Sequence, residues 1–366
     1  MDHGTGVLHQ RRNDHARLTP SARTLAGRSR VQNARTIRSM TMESTNSRSE
    51  TERRRPPYDP GVAAALATMA EGGIFAPLTL ESIPVMRQYA VPEDISRFDL
   101  VESEYTAPGF GGAELAVTVL RRRDHTGTGP GVFHIHGGGL VMGTRRTGIS
   151  LVAPWVDAHD AVAVTIEYRL APEHPDPVPV EDCYAALLWT IENADELGID
   201  PARVVLAGAS AGGGLAAGVA LLARDRGGPE LFGQVLICPM LDDTDSTVSA
   251  QQFDGVGLWD RGSNRVGWTA LLGERRGTDH VSEYAAPSRA SDLSGLPPTF
   301  LDAGSAEVFR DENVSYASRL WADGGNAELH IWPGGTHGWD ALISGSPLAE
   351  LAAATRNAWV ARLLSA

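Results

Sequence analysis

The 366-residue chain contains no lysine, and all 32 of its basic residues are arginine. This absence excludes a Walker A phosphate site, a Schiff-base lysine for pyridoxal phosphate and a Ser–Lys catalytic dyad. In particular, Gly213 stands three residues after Ser210, where S-x-x-K hydrolases carry their lysine. A serine nucleophile in this chain would therefore need a histidine as its base.

Cysteine and long apolar runs are also scarce. Cys183 and Cys238 each lie within an apolar run, which predicts two buried, reduced thiols rather than a disulfide. No apolar stretch reaches the roughly 20 residues that a membrane-spanning helix needs. We therefore predict no membrane insertion. The histidines show no H-x-x-x-H spacing and the cysteines no C-x-x-C spacing, so we also predict no metal and no cofactor.

The formal net charge of −13 is distributed unevenly along the chain. Residues 1–57 are rich in arginine, serine, threonine and asparagine without apolar periodicity, which predicts a disordered tail. The rest is strongly acidic, and this argues against nucleic acid as a partner. Arg11 and Arg12 are not followed by the apolar segment of a secretory signal, whereas an organelle transit peptide stays open. We predict a cytoplasmic location.

The run Gly208-Ala209-Ser210-Ala211-Gly212 is the most informative motif of the chain. It lies between an apolar segment at 204–207 and a small-residue helical pattern. G-x-S-x-G at such a junction is typical of a nucleophile elbow, a sharp turn that raises the serine hydroxyl above the sheet. We therefore predict that Ser210 is a catalytic nucleophile; the alternative is a small residue that eases helix packing.

A glycine-rich loop at 136–139 follows another apolar strand pattern at 132–135. Backbone N–H groups of such an H-G-G-G loop, with that of the residue after the nucleophile, stabilise the oxyanion of a tetrahedral intermediate. We predict Gly138, Gly139 and Ala211 as the donors. His136 is interpreted as a structural residue of this loop and not as an acid or a base.

An acid and a histidine follow the serine in the order typical of α/β-hydrolases. Glu307 comes shortly after a predicted strand at 299–304, and His337 follows a predicted strand at 328–332. His337 would remove the serine proton, and Glu307 would fix the imidazole tautomer and offset its charge. The alternative acids are Asp302 and Asp311.

These motifs resemble those of the hormone-sensitive-lipase-like family of bacterial esterases. The resemblance runs from about residue 58 to the C-terminus and rests on residues 136–139, 167–175, 208–212, 307–312 and 337–338. It implies a serine carboxylesterase that hydrolyses short-chain acyl esters of small molecules. Two positions depart from the family pattern: Ala209 replaces a frequent Asp or Thr whose side chain can support the loops around the site, and Glu307 replaces a more usual Asp.

Strand and helix patterns alternate along most of the chain, which predicts an α/β fold with a mostly parallel sheet and helices on both faces. We predict strands at 99–105, 115–120, 132–135, 161–166, 204–207, 234–237, 299–304 and 328–332, and helices at 62–69, 151–159, 180–196 and 213–226. The predicted site residues all follow the carboxyl ends of strands, where open α/β sheets bind their ligands.

The predicted domain organisation is a tail at 1–57 and an α/β-hydrolase catalytic domain at 58–366. By resemblance, residues 58–92 and 242–285 form a helical cap that walls the substrate pocket. Candidate pocket residues within or beside this cap are Met69, Leu258, Trp259 and Val308. The alternative interpretation for each of these residues is that it packs between cap helices and does not contact substrate.

Several functions stay open beside ester hydrolysis. An amidase, formamidase or acyltransferase could use the same triad, and plant gibberellin receptors resemble this fold without a working triad. Residues 212–217 also fit the dinucleotide fingerprint G-x-G-x-x-A, but the next strand ends in Pro239 without the acid that holds the ribose. We discard that match. The relatives also suggest a homodimer.

Overall fold

Eight strands form one sheet in the computed structural model, which describes residues 54–72, 78–89 and 93–365. The order across the sheet is β1-β2-β4-β3-β5-β6-β7-β8, and β2 alone runs antiparallel to both of its neighbours. The strands are β1 Leu100–Pro108, β2 Glu114–Arg122, β3 Gly129–Ile135, β4 Val162–Ile166, β5 Ile199–Ala209, β6 Gly233–Ile237, β7 Thr299–Gly304 and β8 Ala327–Trp332. This is the predicted fold class.

The helices of the described ranges lie mostly between these strands. They are α1 Pro60–Glu71, α2 Ile83–Met86, α3 Ile149–His159, α4 Val178–Glu192, α5 Ala194–Leu197, α6 Ala211–Asp225, α7 Val248–Gln252, α8 Arg261–Leu272, α9 Arg310–Ala322, α10 Trp339–Leu342 and α11 Pro347–Leu364. None of them is both long and apolar enough to cross a membrane.

The central strands are covered on both faces. Every residue of β3, β4, β6 and β7 is buried, which explains why these segments are mostly apolar and show no alternation of apolar and polar residues. Side chains of α4, α6 and α9 form the core on one face, and those of α3 and α11 form it on the other. The strand β1 at the edge of the sheet instead alternates between more and less exposed side chains.

The small residues of α6 let this helix lie close to neighbouring backbone. A Cβ on Gly214 would be 2.1 Å from the carbonyl oxygen of Met240, and one on Gly218 would be 2.2 Å from that of Tyr284. Such contacts leave no room for a larger side chain. Close packing holds the first turn of α6, and with it Ser210, against the end of β6.

Two predicted elements differ most from the structure. The helix predicted at 180–196 is broken at Asn193, whose side-chain Nδ2 donates to the carbonyl of Trp189 and ends α4 there. The strand predicted at 204–207 begins earlier, at Ile199. Its pairing with β3 shifts register between Pro130 and Gly131 and then continues back to Ile199, so the strand is longer than its apolar segment.

The predicted tail lies largely outside the described residues. Residues 1–53 belong to it, while residues 54–57 are described. There the carbonyl oxygen of Arg54 accepts a hydrogen bond of 2.6 Å from the side chain of Gln252. The chain then enters α1, which Asp59 caps by accepting from the backbone N–H of Gly61.

Candidate active site

Ser210 lies in a sharp turn between β5 and α6. Its backbone has φ 58° and ψ −125°, a conformation that non-glycine residues rarely adopt. A Cβ on Gly208 would be 2.3 Å from the carbonyl oxygen of Gly212, and one on Gly212 would be 2.1 Å from that of Ile135. Glycine at both positions is therefore required by the turn. The strained turn places the serine hydroxyl at the carboxyl edge of the sheet.

The structure brings Ser210, His337 and Glu307 into one chain of hydrogen bonds. Nε2 of His337 is 2.9 Å from Oγ of Ser210, and Nδ1 is 2.7 Å from Oε2 of Glu307. A carboxylate can only accept, so Nδ1 carries the proton and Nε2 presents its lone pair to the serine hydroxyl. Both His337 and Glu307 are buried. This arrangement can withdraw the proton of Ser210 as the hydroxyl attacks an electrophile.

Glu307 is positioned by the end of β7. Its Oε1 accepts a hydrogen bond of 2.6 Å from the backbone N–H of Gly304, which leaves Oε2 for the histidine. The two alternative acids have other partners. Asp302 accepts from the indole of Trp332 and from Arg356, and Asp311 accepts from the backbone N–H of Ser249. The geometry thus favours Glu307 over both.

The glycine loop lies directly beside the serine. Gly138 and Gly139 have φ 121° and 60°, and the backbone N–H groups of Gly138, Gly139 and Ala211 have no acceptor within the described residues. A Cβ on Gly138 would be 2.1 Å from the carbonyl oxygen of Met142. Three N–H groups without an acceptor among the described residues, next to a nucleophile, are an arrangement that can stabilise an oxyanion.

His136 supports this loop as a neutral side chain. Its ring stacks on Tyr168 with centroids 4.2 Å apart, and its Nδ1 donates to the carbonyl of Gly137. The hydroxyl of Tyr168 donates to the carbonyl of His136. Burial lowers the pKa of His136 to about 4, so the ring is uncharged at neutral pH. The motif at 167–175 contains Tyr168, but nothing in the sequence indicated that it braces the loop.

Phe309 and Cys238 also lie at the site and were not predicted to be there. Phe309 meets the His337 ring edge-on, with centroids 5.0 Å apart. The ligand atoms of Cys238, Glu307 and His337 lie within 4.8 Å of one another, a grouping that could accommodate a metal ion. Hydrogen bonds already occupy Nδ1 of His337 and both oxygens of Glu307. Burial, with the nearby Glu307 charge, raises the pKa of the Cys238 thiol well above its ordinary value. A neutral thiol is a poor metal ligand.

A cavity of about 420 Å³ lies between α1 and the segment that precedes α8. Of the candidate pocket residues, Leu258 lines it. Trp259 lies instead against Gly139 of the glycine loop. Met69 and Val308 are not on the cavity wall: α1 presents Leu66, Ala67 and Ala70 there, and Val308 is fully buried in the core. Helical spacing explains the difference for Met69: at about 100° per residue, it lies roughly 100° around α1 from the centre of the face that Leu66, Ala67 and Ala70 form.

Comparisons with known proteins place these features in context. A family model described as the alpha/beta hydrolase fold matches residues 132–341. Carboxylesterase NlhH of Mycobacterium tuberculosis is 38% identical over 212 residues, which are 57% of this chain and 66% of that protein. Esterase LipI of the same organism is 35% identical over 201 residues, which are 55% of this chain and 62% of that protein. The matching segments therefore span slightly less than two thirds of these curated relatives.

Solved structures extend the similarity over more of the chain. A bacterial heroin esterase superposes with a TM-score of 0.78 at 38% identity and covers 84% of this chain and 98% of its own. A thermostable esterase from Pseudomonas putida superposes with a TM-score of 0.72 at 31% identity, over 82% of this chain and 96% of its own.

Proposed function

The chain belongs to the alpha/beta hydrolase fold family, and from that premise we propose that it is a serine carboxylesterase acting on short-chain acyl esters of small molecules. The observation that carries the proposal is the hydrogen-bonded chain from Ser210 through His337 to Glu307, set beside three free backbone N–H groups. The similarity to several proteins named as carboxylesterases and esterases supports it.

The reaction follows from this geometry. His337 takes the proton of Ser210 as its Oγ attacks the ester carbonyl, and Glu307 stabilises the imidazolium that forms. The developing oxyanion accepts from the N–H groups of Gly138, Gly139 and Ala211. His337 then protonates the departing alcohol, and water hydrolyses the acyl-enzyme by the same route. No step requires a metal or an organic cofactor.

We assign the role of a cap to residues 58–92 and 242–285. Two contacts support this assignment. Val62 of α1 packs in a cluster with Trp332 and Trp339, which flank the His337 loop. A Cβ on Gly267 of α8 would be 2.6 Å from the carbonyl oxygen of Gly139. The described parts of both segments that make these contacts, α1 and α8, therefore lie over the carboxyl edge of the sheet, where they can shape the space available to substrate.

Location and assembly are parts of the same proposal. Both cysteines are buried and free, as expected in a reducing compartment such as the cytoplasm. The last strand in the sheet order is β8, and its outer edge is the side on which a second copy could pair to form a homodimer. Light scattering on the purified full chain would report the mass of the assembly.

Labelling with a fluorophosphonate tests the proposed nucleophile. We expect one equivalent of label on the wild type, located on Ser210, and no label on Ser210→Ala. Ser318→Ala is the matched control, since Ser318 is exposed on α9 and donates only to the carbonyl of Val314; it should label fully. An unlabelled wild type would contradict the proposal and favour a receptor. Rates on matched ester and anilide substrates would then separate an esterase from an amidase.

A further inference from the structure

The indole of Trp259 closes the space above the glycine loop. A Cβ added to Gly139 would be only 2.1 Å from Cη2 of this ring. The ring centroid is also 6.4 Å from that of His337. The six-membered end of the indole therefore lies next to the predicted oxyanion site, within reach of an acyl group bound to Ser210.

The cavity of about 420 Å³ is walled by the same segment. Leu258 and Asp260, the chain neighbours of Trp259, both line it. A Cβ on Gly257 would be 3.2 Å from Oγ1 of Thr336, the residue that precedes His337. The cavity wall thus touches the loop of the catalytic histidine, while the side chain of Trp259 is directed to the glycine loop.

We propose that the Trp259 indole acts as a partition: it fills the space between Ser210 and the segment 255–260 that walls this cavity, and it restricts the enzyme to short acyl chains. The inference rests on the proposed esterase function and adds the residue that sets the chain-length limit. With the indole removed, the cavity becomes continuous with the acyl site and accepts the distal methylenes of a medium-length aliphatic chain.

The composition of the cavity fits such a chain. Seven of its eleven lining residues are aliphatic or glycine, among them Leu66, Val256 and Leu258. The other four, Arg55, Tyr58, Asp260 and Ser263, are polar. Apolar pockets of this volume bind aliphatic and aromatic groups through the area they remove from water.

The indole is held by packing rather than by a polar anchor. Its Nε1 is buried and has no hydrogen-bond partner among the residues that the structure describes. A buried indole N–H usually finds an acceptor, so the ring at this position contributes shape. Replacement by another aromatic ring should therefore preserve the partition, whereas replacement by a small aliphatic side chain should remove it.

The test is the ratio of kcat/KM for p-nitrophenyl octanoate to that for p-nitrophenyl butanoate. Trp259→Ala and Trp259→Leu should raise this ratio about tenfold or more, because each newly buried methylene adds roughly a factor of four. Trp259→Phe should keep the wild-type ratio. A general loss of oxyanion geometry lowers both rates and leaves the ratio unchanged, so the ratio isolates the partition.

Two further variants control the interpretation. Ala67→Phe in the Trp259→Ala background refills the cavity and should return the ratio toward wild type. Trp321→Ala removes an exposed indole on α9 and should leave the ratio as it is. The inference is overturned if Trp259→Ala and Trp259→Leu hydrolyse butanoate but show the wild-type ratio. A wild type that neither hydrolyses these esters nor reacts with a fluorophosphonate would instead overturn the proposed function.

Discussion

Glu307 has one more methylene than the aspartate expected at its position, and the structure shows how this length is accommodated. The backbone N–H of Gly304 holds Oε1, so that the side chain folds back and directs Oε2 to His337. The sequence indicated the order of serine, acid and histidine. It favoured Glu307 and kept Asp302 and Asp311 as alternatives, because the final choice depends on which side chain the turn after β7 directs toward the histidine.

The substitution Glu307→Gln tests whether Glu307 is the acid that supports His337. We predict that kcat falls by about 10³–10⁴-fold, because an amide can stabilise the wrong imidazole tautomer and cannot offset its charge. Asp311→Asn should retain activity within a few-fold, since Asp311 contacts Ser249 and Arg310 rather than His337. Steady-state kinetics of both variants is the measurement. The opposite pattern would show that Asp311 is the acid.

Two buried histidines make stability depend on pH. Burial lowers the pKa of His134 to about 3 and that of His136 to about 4, from an ordinary 6.5. Between these values and 6.5 the unfolded chain binds protons that the folded chain does not. Stability is therefore lost as the pH falls through this window, by up to about 1.4 kcal/mol per pH unit for each histidine.

Urea unfolding at pH 7, 6 and 5 measures this dependence. We predict that the slope of the unfolding free energy against pH is smaller in His134→Gln than in the wild type. His280→Gln, an exposed position, should keep the wild-type slope. Equal slopes in all three proteins would show that burial of His134 does not affect proton uptake as inferred.

At the scale of elements, the pattern of apolar residues predicted the buried strands, and the G-x-S-x-G motif predicted the sharp turn at Ser210. The mostly apolar stretches of β3 and β7, and the glycines on either side of Ser210, are local sequence signals that correspond to elements of the structure. The wall of the cavity was not predictable in the same way. It joins one face of α1 to residues 255–263, nearly 200 positions away, and no local pattern records that contact.

At the scale of elements, we predict how a substitution in the glycine loop affects activity. Gly139→Ala should lower kcat by about 10²–10³-fold, because the new Cβ would overlap the Trp259 ring and displace an oxyanion donor. Gly277→Ala is the matched control: its φ is also positive, at 75°, but its Cβ would enter open space. Equal activity losses in the two variants would mean that backbone strain, and not the donor geometry, accounts for the effect.

At the scale of the whole molecule, a buried ion-pair network joins the last helix to the sheet. Arg356 on α11 donates to Asp302 on β7, with an Nε–Oδ2 distance of 2.8 Å, and to Asp340 on α10. All three side chains are largely buried. Since α10 follows His337 directly, the network also fixes the loop that carries the histidine.

Arg356→Met should lower the free energy of unfolding by about 3–5 kcal/mol, because it leaves buried carboxylates without their cation. Arg123→Met removes an exposed pair with Asp99 and should change it by about 1 kcal/mol or less. Urea denaturation of the two variants beside the wild type makes the comparison. Similar small losses in both would contradict the view that the network stabilises the fold.

The central claim is that Ser210, activated by His337 and Glu307, hydrolyses short-chain esters. The most direct test is hydrolysis of p-nitrophenyl esters from acetate to palmitate by the wild type and by Ser210→Ala. We predict activity that peaks at short chains in the wild type and falls to background at every length in the variant. Folded wild-type protein without activity on any chain length, or a variant as active as the wild type, would contradict the account.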